Sequence, residues 1–242
     1  MSGGYYIALS GMRTQINQLD RLAEDLSNSG TAGFKAERTA YESAKRPNFE
    51  SVMESAIDVT LGERKLDTRP GNVTTTGRSL DVAVQGDGFL VIKTDQGERY
   101  TRNGHLMRTL EGTLITKEGS VVMGEDGPIK VEGEGEIAID NDGTVRTGKE
   151  AKGKLAVVRF ENPGALTRDG GALLRAPVNV APIPVESSEV VKPGALEDSN
   201  VSVVERLTEL TNVSRAFQSL QRALSLMMND VDGRSIDQLG RR

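Results

Sequence analysis

Leu9, Met12, Ile16, Leu19, Ala23 and Leu26 follow one another at spacings of 3, 4, 3, 4 and 3. That alternation is the apolar stripe of a helix packed along a seam. Arg13, Gln15, Asn17, Asp20, Arg21, Glu24 and Asp25 fill the remaining faces. The spacing predicts a helix over 5–28, roughly 35 Å long at 1.5 Å per residue. It should stop at SNSGTAG, where Ser27, Asn28 and Ser29 favour turns and Gly30 suits the position after a helix end.

The other end of the chain repeats the pattern. Val203, Leu207, Leu210, Ser214, Phe217, Gln221, Leu224, Met228 and Val231 alternate at 4 and 3. Ser214 and Gln221 interrupt the stripe, while Val213, Ala216, Leu220, Ala223 and Met227 widen it. The pattern predicts a helix from near Asn200 to Asp232–Gly233, about 45–50 Å long. Ser199 or Asn200 could cap it, and Ser202 with Glu205 forms a capping box that would start it slightly later.

Between the ends the period changes. From about 80 to 160 the chain reads LDVAV, GFLVIK, ERYTR, GTLITK, SVVMG, PIKVE, EIAID, GTVRT and KLAVVRF. Turn signals such as Asn103-Gly104, Glu111-Gly112, Glu118-Gly119, Asp126-Gly127 and Asp142-Gly143 separate these runs. Short strands at this spacing predict an antiparallel β module. Residues 36–79 read as a charged connector, with a short helix at about 48–57. Residues 176–195 read as an extended, proline-bearing return connector.

The predicted fold class is therefore α+β. A discontinuous helical coiled-coil domain, 1–35 pairing with 196–242, carries an inserted, mainly antiparallel β domain at 80–175.

Composition narrows the chemistry. The 242 residues carry a net charge of −5, no Cys, no Trp and one His. No basic footprint for nucleic acid or anionic lipid is present, and no apolar run is long enough for a membrane helix. The N-terminus lacks the pattern of a cleaved secretory signal. Without Cys there are no disulfides, thiolate nucleophiles or Cys–metal sites, and either cytoplasmic residence or signal-less export stays open.

Candidate chemical motifs dissolve on inspection. Gly143–Lys149 fits the first seven positions of a P-loop, but the eighth is Glu150 and a strand follows. Asp140-Asn-Asp-Gly143 resembles a calcium loop, yet the outer ligand positions are Ala138 and Lys149. His105 follows an Asn-Gly turn as a hairpin-edge residue. Glu132, Glu134 and Glu136 alternate with Val or Gly on a solvated edge. A glycan hydrolase using that run or Asp87 is the rival class, and it would need two carboxyls at fixed separation around a cleft.

Three stretches resemble one family. ALSGM…LDRLAEDLSNSGTAGFKAER, LDVAVQGDGFLVIKTDQGERYTRNGHL and GALEDSNVSVVERLTELTNVSRAF occur in colinear order. They resemble the axial proteins of the bacterial flagellum, the rod and hook subunits. The family's Asn-rich helix end becomes Ala23-Glu-Asp-Leu-Ser-Asn28 here, and Gly33, Phe34 and Lys35 match its turn. Leu90 stands where Phe is commoner, and Leu196, Glu197, Ser199, Asn200 and Val201 match the approach to the last helix.

The resemblance implies a structural rod subunit with no catalysis and no cofactor. It implies export unfolded through the flagellar secretion apparatus and assembly in the periplasm with copies of itself and other rod proteins. The helical stripes (Leu9, Met12, Ile16, Leu19, Ala23, Leu26, Val203, Leu207, Leu210, Phe217, Leu224, Met228 and Val231) are then the assembly interface. Such helices are marginal alone and are expected to order on assembly. Asn28, Gly30, Gly33, Phe34 and Lys35 form the turn leaving the first helix. Gly30 and Gly33 are expected at positive φ, Phe34 as an anchor on a neighbouring helix or connector. Gly33→Val is expected to harm assembly more than folding of the monomer.

Overall fold

A computed structural model describes residues 2–39, 64–133, 135–185 and 190–239. The possible helix at 48–57 lies outside the described residues. The chain is α+β, with a long helix near each end and mainly antiparallel strands between them. Helix α1 spans Ser2–Ser27 and helix α2 spans Val203–Leu239. Contacts divide the chain into two compact units: both helices fall in one, and Ser27–Arg38 with Arg64–Val201 form the other.

In the helical unit the pairing is antiparallel. Gly11 faces Leu220, Gln18 and Arg21 reach Glu209, and Asp25 meets Arg206. Position numbers rise on one helix as they fall on the other. Helix α2 starts just after Ser202, whose hydroxyl accepts the Glu205 backbone N–H at 3.4 Å. Ser202, rather than Ser199 or Asn200, caps that start.

The β unit is built around the strand Phe89–Thr94. It pairs with Gly97–Thr101 on one side and Val121–Gly124 on the other. Leu114–Thr116 and Leu106–Arg108 extend the sheet past Val121–Gly124, and Leu174–Arg175 with Thr167–Arg168 extend it past Gly97–Thr101. Phe89 to Ile92 are all buried, because both faces of this strand are covered. Leu90 joins a core with Val82, Leu106, Leu114, Val122, Val145 and Leu155. Its neighbours Phe89 and Val91 point the other way, into a core with Tyr100, Val158, Phe160 and Leu174. The side-chain period of two turns one β-branched, aromatic run into the wall between two cores.

Each of the nine predicted β-like runs contains or touches an observed strand. The connector regions hold more order than their composition suggests. Val82–Val84 pairs with Val191–Pro193, and Val73–Thr75 with Ala195–Glu197. Periodicity could not show this, since three-residue strands carry too few alternations to register.

Candidate functional site

The GTAGFK turn, the YTRNG stretch and the LEDSNV stretch meet at one buried carboxylate. Glu197, 1% exposed, ends the strand Ala195–Glu197. Its Oε1 accepts from Lys35 Nζ and from the Gly71 backbone N–H at 2.9 Å. Its Oε2 accepts from Arg102 Nε at 2.7 Å. Its backbone carbonyl accepts the Gly33 N–H at 2.6 Å. Both cations donate further: Lys35 Nζ to the Arg69 carbonyl at 2.8 Å, and Arg102 Nη2 to the Val84 and Gly86 carbonyls at 3.2 and 2.6 Å.

Two cations face one anion inside the protein, so hydrogen bonding must compensate for lost water. Burial pushes the Lys35 ammonium below the ordinary lysine value, and the hydrogen bond and charge of Glu197 pull the other way.

Asn200 makes a second tie. Its Oδ1 accepts the Ala36 N–H at 2.8 Å, and its Nδ2 donates to the Asp67 and Arg69 carbonyls at 2.8 and 3.1 Å. The residues that follow α1 and those that precede α2 are thus bound to each other within the β unit. A side chain sits where a strand pairing would otherwise be needed to satisfy the backbone.

Phe34 is fully buried with Ala36 and Val201, and the Arg168 guanidinium lies 4.4 Å from its ring centroid. It therefore anchors inside the β unit rather than on a helix. Of the expected positive-φ glycines, Gly33 has φ 67° and Gly30 is not in that region. A Cβ on Gly33 would stand 2.2 Å from the Arg102 carbonyl carbon, whereas one on Gly30 would meet nothing within 4 Å. Gly33→Val therefore strikes the β unit itself, so folding of the monomer is expected to suffer as well as assembly. Gly104 is constrained by proximity alone: a Cβ there would lie 1.7 Å from the Val82 carbonyl oxygen.

The helical stripes divide into columns. Leu9, Ile16 and Ala23, seven residues apart, are exposed; Met12, Leu19 and Leu26 are half-buried. Leu22 and Asp25, off the predicted stripe, are the buried positions along with Arg21. On α2, Val203 and Leu207 are exposed, Leu210 and Phe217 are half-buried, and Leu224 is buried. Val213, from the second apolar set, is buried as well. Met228 and Val231 lie on α2, with side chains outside the described residues. Ion pairs supplement the seam: Arg206 bridges Asp25 at 3.2 Å and Glu209 at 2.8 Å.

The rejected chemical motifs are turns and edges. Asp142 accepts the Thr144 N–H at 2.9 Å and the Thr144 hydroxyl at 2.8 Å, closing the hairpin between Ile137–Ile139 and Thr144–Thr147. Those two bonds, the backbone one foremost, hold its carboxyl below the usual aspartate value. His105 lies 3.1 Å from Asp81. Asp87, Glu132 and Glu136 are exposed, and Glu134 is outside the described residues.

Sequence reading matched Lys35 and Glu197 to motifs without assigning their contact, and missed the roles of Asp67, Arg102 and Arg168. Charged neighbours stand close to each of these residues in the sequence, so none of them is singled out by its local context. Lys35 and Arg102 are 162 and 95 positions from Glu197, beyond any local pattern.

Residues 83–147 match the flagellar hook protein FlgE/F/G D1 domain, and residues 192–228 match the flagellar basal body rod FlgEFG protein C-terminal region. The chain is 32% identical over 231 residues to the flagellar basal-body rod protein FlgF of Caulobacter vibrioides, covering 93% of each. It is 32% identical to FlgF of Escherichia coli over 97% of each chain. It is 29% identical to the rod protein FlgG of Bacillus subtilis, over 91% of this chain and 93% of that one.

Proposed function

The chain belongs to the flagellar basal-body rod protein family, and we propose that it joins the rod through its terminal helices. It is a FlgF-like structural subunit of the basal body and not an enzyme. The observation that carries the proposal is the set of apolar side chains left open on the paired helices: Leu9 and Ile16 on α1, Val203, Val204, Leu207 and Leu226 on α2. Exposed apolar stripes of this length mark association surfaces. A second set of helices from copies of this chain or from other rod proteins covers them as a coiled-coil-like bundle. The β unit is then the inserted body, and the bundle carries torque along the rod.

Family membership supports the remaining parts of the proposal. The subunit takes a proximal position in the rod, reaches the periplasm through the flagellar export apparatus without a cleaved signal, and orders its helices fully as it assembles. An absence of disulfides suits passage through a narrow channel. No helix among the described residues is long and apolar enough to cross a membrane.

Ile16→Glu combined with Leu207→Glu tests the helical interface. Both positions are exposed in the single chain, so its stability should change by less than about 1 kcal/mol. Incorporation into purified basal bodies and swimming should be lost. A doubly substituted protein that builds normal rods would remove the helical interface from the proposal.

A further inference from the structure

Leu110 and Val178 are the two fully exposed large apolar side chains among the described residues. Leu110 sits on a turn that is firmly held. Gly112 N–H donates to the Thr109 carbonyl at 3.0 Å, Thr109 N–H to the Thr113 carbonyl at 3.0 Å, and Val131 N–H to the Gly112 carbonyl at 2.7 Å. The strands Leu106–Arg108 and Leu114–Thr116 flank it and root it in the core through the fully buried Leu106 and Leu114. A leucine fixed in water on a rigid turn gains nothing for the fold, while its rigidity lowers the entropy cost of contact with a partner. Beside it stands an exposed acid, Glu111.

The same β unit carries a groove of about 480 Å³, within the range of clefts that bury a side chain or ligand, about 300–1,000 Å³. Leu80, Met107 and Ile137 supply apolar lining, and Arg78 and Arg108 supply positive charge against the single acid Glu136. Arg78 is engaged by Asp81 at 3.2 Å. Arg108 donates to the Gly133 carbonyl at 3.3 Å, a neutral partner. An apolar knob next to a carboxylate meets, in this groove, three apolar side chains beside a guanidinium. The knob is fully solvated, so the chain does not fill its own groove.

We propose that the Leu110–Glu111 turn of one copy inserts into this groove on a second copy, with Leu110 on the apolar lining and Glu111 against Arg108. The choice of a second copy rests on the rod-subunit reading. Such a contact is heterologous: each copy offers a free turn to one neighbour and a free groove to another. It therefore runs on from copy to copy rather than closing as a pair, giving a ring or an open helix as the rotation between copies dictates.

The chain has no cysteine, so single-cysteine full-length variants report the contact directly. Leu110→Cys chains are mixed with Ser79→Cys chains, Ser79 being an exposed groove residue, and oxidised. Val178→Cys with Ser79→Cys is the control for an equally exposed apolar position. The mixed dimer should form at least ten-fold more with Leu110→Cys than with Val178→Cys. Adding Glu111→Arg to the Leu110→Cys chain should suppress it, and Arg108→Glu in the Ser79→Cys chain should restore it. Equal yields at the two positions, or suppression without rescue, overturn the proposal. So does a Leu110→Cys chain that, in isolated basal bodies, crosslinks only to a different protein. Absence of the wild-type chain from basal bodies would instead overturn the rod reading, which the purified pair does not test.

Discussion

At the residue scale, Glu197 shows how a motif position can be structural. It holds Lys35 and Arg102 together with two backbone amides, one on its carboxylate and one on its own carbonyl. Glu197→Gln removes the charge and leaves two buried cations facing a neutral group. The loss should be about 3–5 kcal/mol, the usual cost of orphaning a buried ionic partner, read as a lower urea midpoint. Gly33 and Gly30 form a sharper comparison, since they stand three residues apart in one turn. Gly33→Ala meets both positive φ and backbone at 2.2 Å, and should cost about 3 kcal/mol or more. Gly30→Ala should stay within about 0.5 kcal/mol. Equal effects at the two sites would contradict the packing described for Gly33.

At the scale of elements, hairpins and helix ends were readable because their signals are local. The Asp142-Gly143 turn is one case, and its energetics carry a pH signature. The carboxyl titrates lower in the folded chain than in the unfolded one. Its contribution is therefore complete above the unfolded aspartate value, about 3.9, and is lost as pH falls through the lower folded value. Asp142→Ala should destabilise by about 1 kcal/mol at pH 7, and the gap to wild type should narrow below about pH 4. A gap constant from pH 7 down to pH 3 would show that the carboxylate's charge plays no part. The helix stripes were also legible as apolar, but not which column would be buried. Two helices crossing at one register bury Leu22, Val213 and Leu224 and leave Ile16 and Leu207 open. Spacing alone treats all of these as equivalent.

At the scale of the molecule, the two units differ in what holds them. The β unit has two apolar cores walled by one strand, whereas the paired helices keep exposed apolar columns. Hydrogen exchange on dilute monomer should show slow amides in Phe89–Thr94 and Val121–Gly124, and faster exchange along α1 and α2. Helices as protected as the central strands would contradict ordering on assembly. The sequence by itself determined the class of each segment, since helical and strand periodicities and turn chemistry act over a few residues. It also determined family membership, because three motifs stand in order along the chain. Only the tertiary structure decided that those motifs converge on Glu197, that Phe34 belongs to the β unit, and which apolar column remains open. Each of those outcomes depends on contacts between residues scores of positions apart, and local patterns carry no record of them.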